Sequence, residues 1–445
     1  MHPAEPVDLL ITPRWMIPVE PHAVTLEDHA VAVRNGRIVA VCPRAEAETR
    51  FAPAEREDLP DHVLIPGLVN LHTHAAMTLM RGIADDLPLM RWLQEAIWPA
   101  EAKHANAEFV RDGTLLAAIE MLRGGITCAN DMYFYPDAAA EAFSRIGMRA
   151  VIGMTVIEFP TGYASDADDY LRKGLAARDR WRDEPLVRFA FAPHAPYTVS
   201  DTSFEHIVQL AHELGCPVHM HLHETAQEID DSIARYGQRP LARMERLGLL
   251  DTDFIAVHAV HLDLHEIETL AAHNCSIAHC PTSNMKLASG VAPTRAMLAR
   301  GLRVGLGTDG AASNNRLDLF QEMRHAALLA KVTSSDAAAF DVHDALRSAT
   351  LAGAEALRMD GEIGSIVAGK AADLVAVSLS SPECSPCFSP ASHIVYAAGR
   401  EHVTHVWVDG KPRTRDNTVL WEHNKELLQC VRVWQTFLKE SASSQ

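Results

Sequence analysis

Two histidines one residue apart, His72 and His74, close the apolar run VLIPGLVNLHTH at residues 63–74. In an extended strand residues i and i+2 point to one face, so both imidazoles face the same way where the run stops. Neutral imidazole is a good ligand for zinc and related divalent ions. A lone His-x-His is commonly two unrelated loop histidines; this one gains weight because the pattern recurs. His194 follows VRFAFAP in APHAPY, and His219, His221 and His223 fall in VHMHLHE just before Glu224. His258 ends FIAVH, His279 ends CSIAH, and Asp309 stands in GTDG after LRVGL. A catalytic zinc site takes His and carboxylate ligands and keeps a position open for water. His72, His74, one histidine of the 219–223 group and Asp309 would supply it. Alternation with Met220 and Leu222 lets the three histidines of that group share a face, and spacing does not choose among them. A bound divalent ion would bring the pKa of water toward neutrality. Glu224 would then be close enough to shuttle the proton, and His258 could polarise the electrophile or hold the nucleophile.

Such residues do chemistry only if a fold gathers them. From residue 63 the chain alternates short apolar stretches with longer helical ones. Strand candidates fall at 63–71, 125–131, 149–156, 187–193, 217–222, 254–259, 275–280 and 302–309, with helix-like segments such as AEFVRDGTLLAAIEMLRGG and SFEHIVQLAHELG between them. Eight such units predict an α/β fold, a (β/α)8 barrel of the TIM type, whose chemistry sits at the C-terminal ends of the strands. An open doubly wound sheet would alternate as well, but no Gly-x-Gly-x-x-Gly follows a strand. Residues 7–65 read differently, as short strands with the turn Asn35-Gly36 inside AVAVRNGRIVAVCP. That pattern predicts a hairpin within a structural β-module.

Composition excludes several partner classes. The 445 residues are 48% hydrophobic, ordinary for a globular chain, and carry a formal charge of -18, which argues against nucleic acid or an anionic membrane as a partner. No run of about 18 apolar residues offers a membrane span, and MHPAEPVDLL lacks the basic start and apolar core of a secretory signal. Eight cysteines lie scattered. Cys384 and Cys387 make one C-x-x-C without a second pair, so a reducing, cytoplasmic protein is expected. The polar tail KESASSQ is the one segment expected to lack order.

The text PGLVNLHTHAAMTLMRGIADDLPLMRWLQEAIWPAE, with FAPHAPYTVS, HMHLHET, AVHAVHL, AHCPTSNMKLASGVAP and GLGTDGAASNNRLDLFQEMR, resembles the amidohydrolase superfamily. Within it, the resemblance is to the branch of 5′-methylthioadenosine/S-adenosylhomocysteine deaminases and triazine-type hydrolases. GEIGSIVAGKAADLVAV is similar to the segment where such chains leave the barrel for the β-module, so the resemblance runs from near residue 7 to about residue 413. It implies a catalytic barrel at 66–368 and a small β-sandwich domain built from 1–65 and 369–445, the latter with a terminal helix and tail. It also implies one divalent ion held by His72, His74, His221 and Asp309, zinc foremost, although iron and manganese accept the same ligands. Glu224 is then the proton shuttle, while His258 and Asp309 assist the attacking hydroxide. Glu101 of WPAE is placed on the ribose hydroxyls and His194 of APHAPY on purine or sugar, with Glu224 and Asp309 also touching substrate. Glu101 has a structural alternative as a helix-start carboxylate.

Two-metal relatives carry a modified lysine at the end of the fourth strand; VRFAFAPH has none, so a single ion is expected. The implied reaction is hydrolytic deamination of adenosine-type nucleosides: 5′-methylthioadenosine, S-adenosylhomocysteine or adenosine. Hydrolysis of a triazine or another amino-substituted heterocycle is the alternative. Some members hold the carboxylate of S-adenosylhomocysteine with an arginine after the third strand. The aligned position here is Met154, and Arg149 lies at the wrong end of that strand, which favours the other two nucleosides. Met90, Trp92 and Trp98 read equally as an apolar wall for a thioether or as core. Homo-oligomers, frequent among such chains, stay open.

Overall fold

The computed structural model describes residues 4–442. Its first strands, β1 (Glu5–Met16), β2 (Leu26–Glu27), β3 (His29–Arg34), β4 (Arg37–Pro43) and β5 (Phe51–Pro66), start a mixed sheet. The expected hairpin joins β3 to β4, with Asn35 and Gly36 both in the left-handed region (φ 50° and 74°), as a tight two-residue turn demands.

The chain then enters the barrel through β6 (Leu68–Thr73), β7 (Ile126–Tyr133), β8 (Arg149–Val156), β9 (Val187–Pro193), β10 (Val218–Leu222), β11 (Phe254–His258), β12 (Ser276–His279) and β13 (Arg303–Leu306). These eight strands are parallel and ordered as in the sequence. At the seam the Asp309 N–H donates to the His72 carbonyl (3.0 Å), drawing the two ends of the order together. β14 (Leu374–Ser378), β15 (Val403–Val408), β16 (Lys411–Arg415) and β17 (Thr418–Val419) return to the first sheet. The resulting path is β17-β16-β15-β14-β5-β1-β3-β4. Both chain ends thus build one mixed nine-stranded sheet beside the barrel.

The strand expected at 63–71 is two strands. Residues 63–66 belong to β5 and pair with β14, and the barrel begins only at Leu68. Gly67 marks the break. A Cβ there would lie 2.1 Å from Thr127 Oγ1, so only glycine lets the backbone pass β7 so closely.

Inside the barrel, Val69, Leu71, Cys128, Val151, Ala190, Ile255, Val257 and Ala278 form a filled core, which Leu357, Met359 and Ile363 cover. The barrel is therefore packed below its catalytic end. At the other end β6 carries a register shift between Asn70 and Thr73 against β7. Such a bulge re-aims side chains: Leu71 belongs to the interior core and, one residue on, the His72 ring reaches the interior residue His219.

Sheet and barrel are tied by a buried ion pair. Arg149, at the start of β8, reaches Asp373 through Nε (3.0 Å) and Nη2 (3.2 Å), and Asp373 also accepts the Asp409 N–H (2.8 Å). The terminal helix Asn424–Ala442 lies on the helix Ala107–Arg123, where Trp434 Nε1 donates to Asp112 (3.0 Å) and its ring meets Phe109. Of the tail KESASSQ, residues 439–442 continue this helix; the rest lies outside the described residues. Among the described residues no helix is long and apolar enough to cross a membrane.

Candidate active site

His72 and His74 leave the bulged end of β6 with their rings in edge contact, centroids 4.7 Å apart. Four ligand-type atoms meet beside them. His72 Nε2 and His74 Nε2 each lie 3.3 Å from Asp309 Oδ1, and His221 Nε2 lies 3.3 Å from His72 Nε2.

The fifth strand resolves its own ambiguity. His219 sits deeper in the barrel, with Nε2 2.9 Å from His72 Nδ1. His221, two residues on, reaches the centre. His223 leaves it: with φ 55° its backbone is left-handed, and its ring turns away so that Nε2 accepts the Leu241 N–H (3.1 Å). The expectation that all three share a face fails at that one dihedral.

The hydrogen bonds around the rings fix where their lone pairs point. His74 Nδ1 donates to the Met132 carbonyl (2.5 Å) and His221 Nδ1 to the His194 carbonyl (2.7 Å), since a carbonyl only accepts. With both Nδ1 atoms so engaged, His74 Nε2 faces the Asp309 carboxylate and His221 Nε2 faces His72 Nε2. Burial pushes His72 down to about 3 and His221 well below the usual imidazole range, so both rings are neutral. Burial would raise Asp309, but the His72 bond and the neighbouring histidines hold it well below the usual carboxylate range. Ser283 and Ser313 donate to its Oδ2 (2.6 and 2.7 Å) and the Gly310 N–H to its Oδ1 (2.8 Å).

Imidazole nitrogens gathered beside an ionised carboxylate are what a cation requires. Ligand atoms at about 2.0–2.1 Å from one ion at tetrahedral angles stand about 3.3 Å apart, the separation seen here for His72–Asp309, His74–Asp309 and His72–His221. The donor set fits a divalent ion such as zinc. Gly307 lets the end of β13 pass close to His72: a Cβ there would lie 2.8 Å from His72 Cβ.

A cavity of about 410 Å³ opens from this cluster, and His74, His194, His221, Glu224, His258 and Asp309 line it. His258 takes left-handed backbone (φ 68°) and donates from Nδ1 to Asn284 Oδ1 (2.8 Å), which leaves Nε2 as an acceptor 3.7 Å from Glu224 Oε2. Burial, with Asp309 nearby, raises the Glu224 carboxyl above its ordinary value. His194 Nδ1 lies 3.1 Å from Thr198 Oγ1. That hydroxyl gives its proton to the Ala195 carbonyl, so the ring donates and its Nε2 is left to accept. Burial holds His194 at about 4, neutral at physiological pH.

Much of the remaining wall is apolar, from Leu89, Trp92, Leu93, Ile97, Trp98, Ile157 and Phe159, with Tyr133, Tyr135, Tyr163, Tyr197, Thr155 and Thr161 adding hydroxyl-bearing side chains. Trp92 and Trp98 thus face the cavity, whereas Met90 lines a separate cavity of about 200 Å³. Glu101 is the wall's carboxylate. Burial pushes it up to about 7, with the Tyr133 hydroxyl partly offsetting. No lysine or arginine lines the cavity among the described residues.

Two expectations are corrected. Met154 is not at a substrate-facing position: its side chain packs outward on the helix Ala167–Trp181, within 2.8 Å of where a Cβ on Gly174 would stand. The cavity-facing residues at this end of the third strand are Thr155 and Ile157. His279 also closes its strand, yet it does not line the cavity. Conversely, Ser283, Asn284, Ser313 and Glu228 were missed. Their signal was position alone, since CPTSN, DGAAS and HETAQE each follow a strand end directly.

The model of the amidohydrolase family matches residues 63–413. A 5-methylthioadenosine/S-adenosylhomocysteine deaminase of Saccharophagus degradans is 44% identical over 439 residues, 99% of this chain and 98% of the relative. One of Syntrophobacter fumaroxidans is 42% identical over 425 residues, 96% and 97% of the two chains. Among solved structures, an adenosine deaminase from Xanthomonas campestris with bound zinc matches at a TM-score of 0.96 and 52% identity, over 98% of this chain and 100% of that one. Atrazine chlorohydrolase from Arthrobacter aurescens, complexed with zinc, shares the fold at a TM-score of 0.88 and 24% identity, over 96% of this chain and 100% of that one.

Proposed function

This chain belongs to the amidohydrolase family, and on that premise we propose that it is a divalent-metal-dependent hydrolytic deaminase of adenosine-type nucleosides. The observation that carries the reading is two groups of ligand-type atoms that share His72, one with His74 and Asp309 and one with His221 and His258, at a cavity that Glu224 also enters. His72, His74, His221 and Asp309 would hold one ion, zinc foremost, as the zinc of the Xanthomonas campestris protein supports. Such an ion supplies a Lewis acid that brings a bound water toward ionisation at neutral pH.

The chain's own groups do the rest. Glu224, raised by burial, takes a proton from the attacking water and delivers it to N1 of the purine as C6 is attacked. His258 offers Nε2 as an acceptor that orients the same water, because Asn284 holds its Nδ1–H. Ser283 and Ser313 keep Asp309 ionised and still. On collapse the added hydroxyl gives up its remaining proton, which Glu224 passes to the leaving nitrogen as the C6–N bond breaks, releasing ammonia and the inosine-type product. His194 accepts a hydrogen bond from purine or sugar, and Glu101 binds the ribose hydroxyls.

The apolar wall, without lysine or arginine among the described residues, favours a neutral 5′ substituent. 5′-Methylthioadenosine and adenosine then rank ahead of S-adenosylhomocysteine. The division into 1–65, 66–368 and 369–445 goes with this reading; the mixed sheet stops at Pro66 and resumes at Leu374. A cytoplasmic location does too, in keeping with eight free cysteines, Cys384 and Cys387 included.

The test is a spectrophotometric deamination assay on protein of measured metal content, with the three nucleosides and a triazine. Conversion of adenine to hypoxanthine, lost on chelation and nearly abolished in Glu224→Gln with the metal retained, is expected. Release of chloride or alkylamine from the triazine, with no nucleoside turned over, would overturn the reading.

A further inference from the structure

We propose that Glu228 is the positioning residue for Glu224: its carboxylate holds the turn that aims the proton-shuttling side chain. The proposal rests on the role given above to Glu224.

β10 ends at Leu222, and the next two backbone N–H groups, of His223 and Glu224, have left the sheet. Buried donors of this kind need acceptors. Thr225 starts the helix Ala226–Tyr236 as its N-cap and accepts the Glu228 N–H (3.2 Å). In an ordinary capping box the residue at Glu228's position returns to the N-cap N–H. Here it reaches further back. One oxygen accepts the His223 N–H (2.9 Å) and the other the Glu224 N–H (2.9 Å).

Two successive peptide planes are pinned by one buried side chain. Between them lies His223, whose left-handed φ of 55° is costly for a residue with a Cβ. The clamp and the Leu241 N–H on the His223 ring hold that conformation from both sides. Its consequence is directional. The chain turns at His223, so that ring leaves the site while Glu224 enters the cavity, 3.7 Å from His258 Nε2. Without the turn, strand alternation would send His223 to the side of His219 and His221 and Glu224 to the opposite face.

Both Glu228 oxygens act as acceptors, so glutamine, equal in size, cannot replace it. Its amide N–H2 would face one of the two backbone N–H groups and loosen the turn. A displacement of the shuttle by about 1 Å costs on the order of 10²-fold in turnover.

The experiment is a double-mutant cycle of Glu228→Gln and Glu224→Gln, with metal content and thermal midpoint measured on all four proteins. Glu228→Gln is expected to lower kcat roughly 30- to 100-fold with KM within about threefold and metal retained. Added to Glu224→Gln, it is expected to change the residual rate by less than about threefold, because nothing is left to aim. Losses that multiply across the cycle would overturn the proposal. So would loss of metal or of folded protein in Glu228→Gln, which would assign the carboxylate to holding the fold. Failure of the deaminase reading is separate: it would leave the wild type inactive on every nucleoside.

Discussion

S-Adenosylhomocysteine carries an ammonium and a carboxylate where methylthioadenosine has a methyl group, and that difference measures the cavity wall. In the proposed function, with the purine on Glu224 and His258, the sugar and its 5′ substituent would run toward Glu101 and Leu93, Ile97, Trp98, Ile157 and Phe159, which line the same cavity. A charge-assisted hydrogen bond to the carboxylate would contribute about 1.5–3 kcal/mol, and leaving a desolvated charge unpaired costs about 2–5 kcal/mol. On the proposed reading Glu101, the wall's carboxylate, would bind the sugar and would not serve the ammonium. A net penalty of about 3 kcal/mol gives S-adenosylhomocysteine a kcat/KM about 150-fold below that of methylthioadenosine. The same spectrophotometric assay measures both. Phe159 stands at the rim, 41% exposed and in ring contact with Trp98, so Phe159→Arg adds a cation without burying it. This variant is expected to raise kcat/KM for S-adenosylhomocysteine about tenfold and to leave methylthioadenosine within about threefold. Wild-type values for the two nucleosides within fivefold of each other would refute the reasoning.

Two other predictions address stability. Arg149→Met leaves Asp373 charged and buried and is expected to cost about 3–5 kcal/mol in denaturant unfolding, with kcat of the folded enzyme unchanged; a loss under about 1 kcal/mol would mean that the pair does not tie sheet to barrel. Glu101 is held at about 7 against an ordinary 4.5, so its ionised form costs stability that is absent below pH 4.5 and grows as pH rises to about 7. Glu101→Gln should therefore match the wild type in thermal midpoint near pH 4.5 and exceed it at pH 8, by at most about 3 kcal/mol and less where cavity water screens the charge. Its KM for nucleosides should rise, and a midpoint difference that does not vary with pH would mean that the Glu101 carboxylate is not desolvated.

Much of the site was legible because a parallel barrel converts local order into convergence. Each unit of strand and helix is local, and a residue at a strand's C-terminal end reaches the same mouth whichever strand carries it. His72, His74, Glu224, His258 and Asp309 could thus be named from spacing, and the missing lysine after VRFAFAP was a statement about one strand end. The sequence determined which ligand types were present and that they share one mouth. It could not decide directions that hang on a single dihedral or on a distant neighbour. That the His221 ring reaches the cluster while the His223 ring leaves it depends on a left-handed φ of 55° at His223. The facing of His72 depended on a bulge against β7, and that of Met154 on Gly174 in a helix 20 residues away. Ser283, Ser313 and Glu228 act through bonds to Asp309 and to the turn after β10. Those bonds exist only once the strands are side by side, because hydrogen-bond partners far apart in the chain are chosen by tertiary packing and leave no period in the sequence to read.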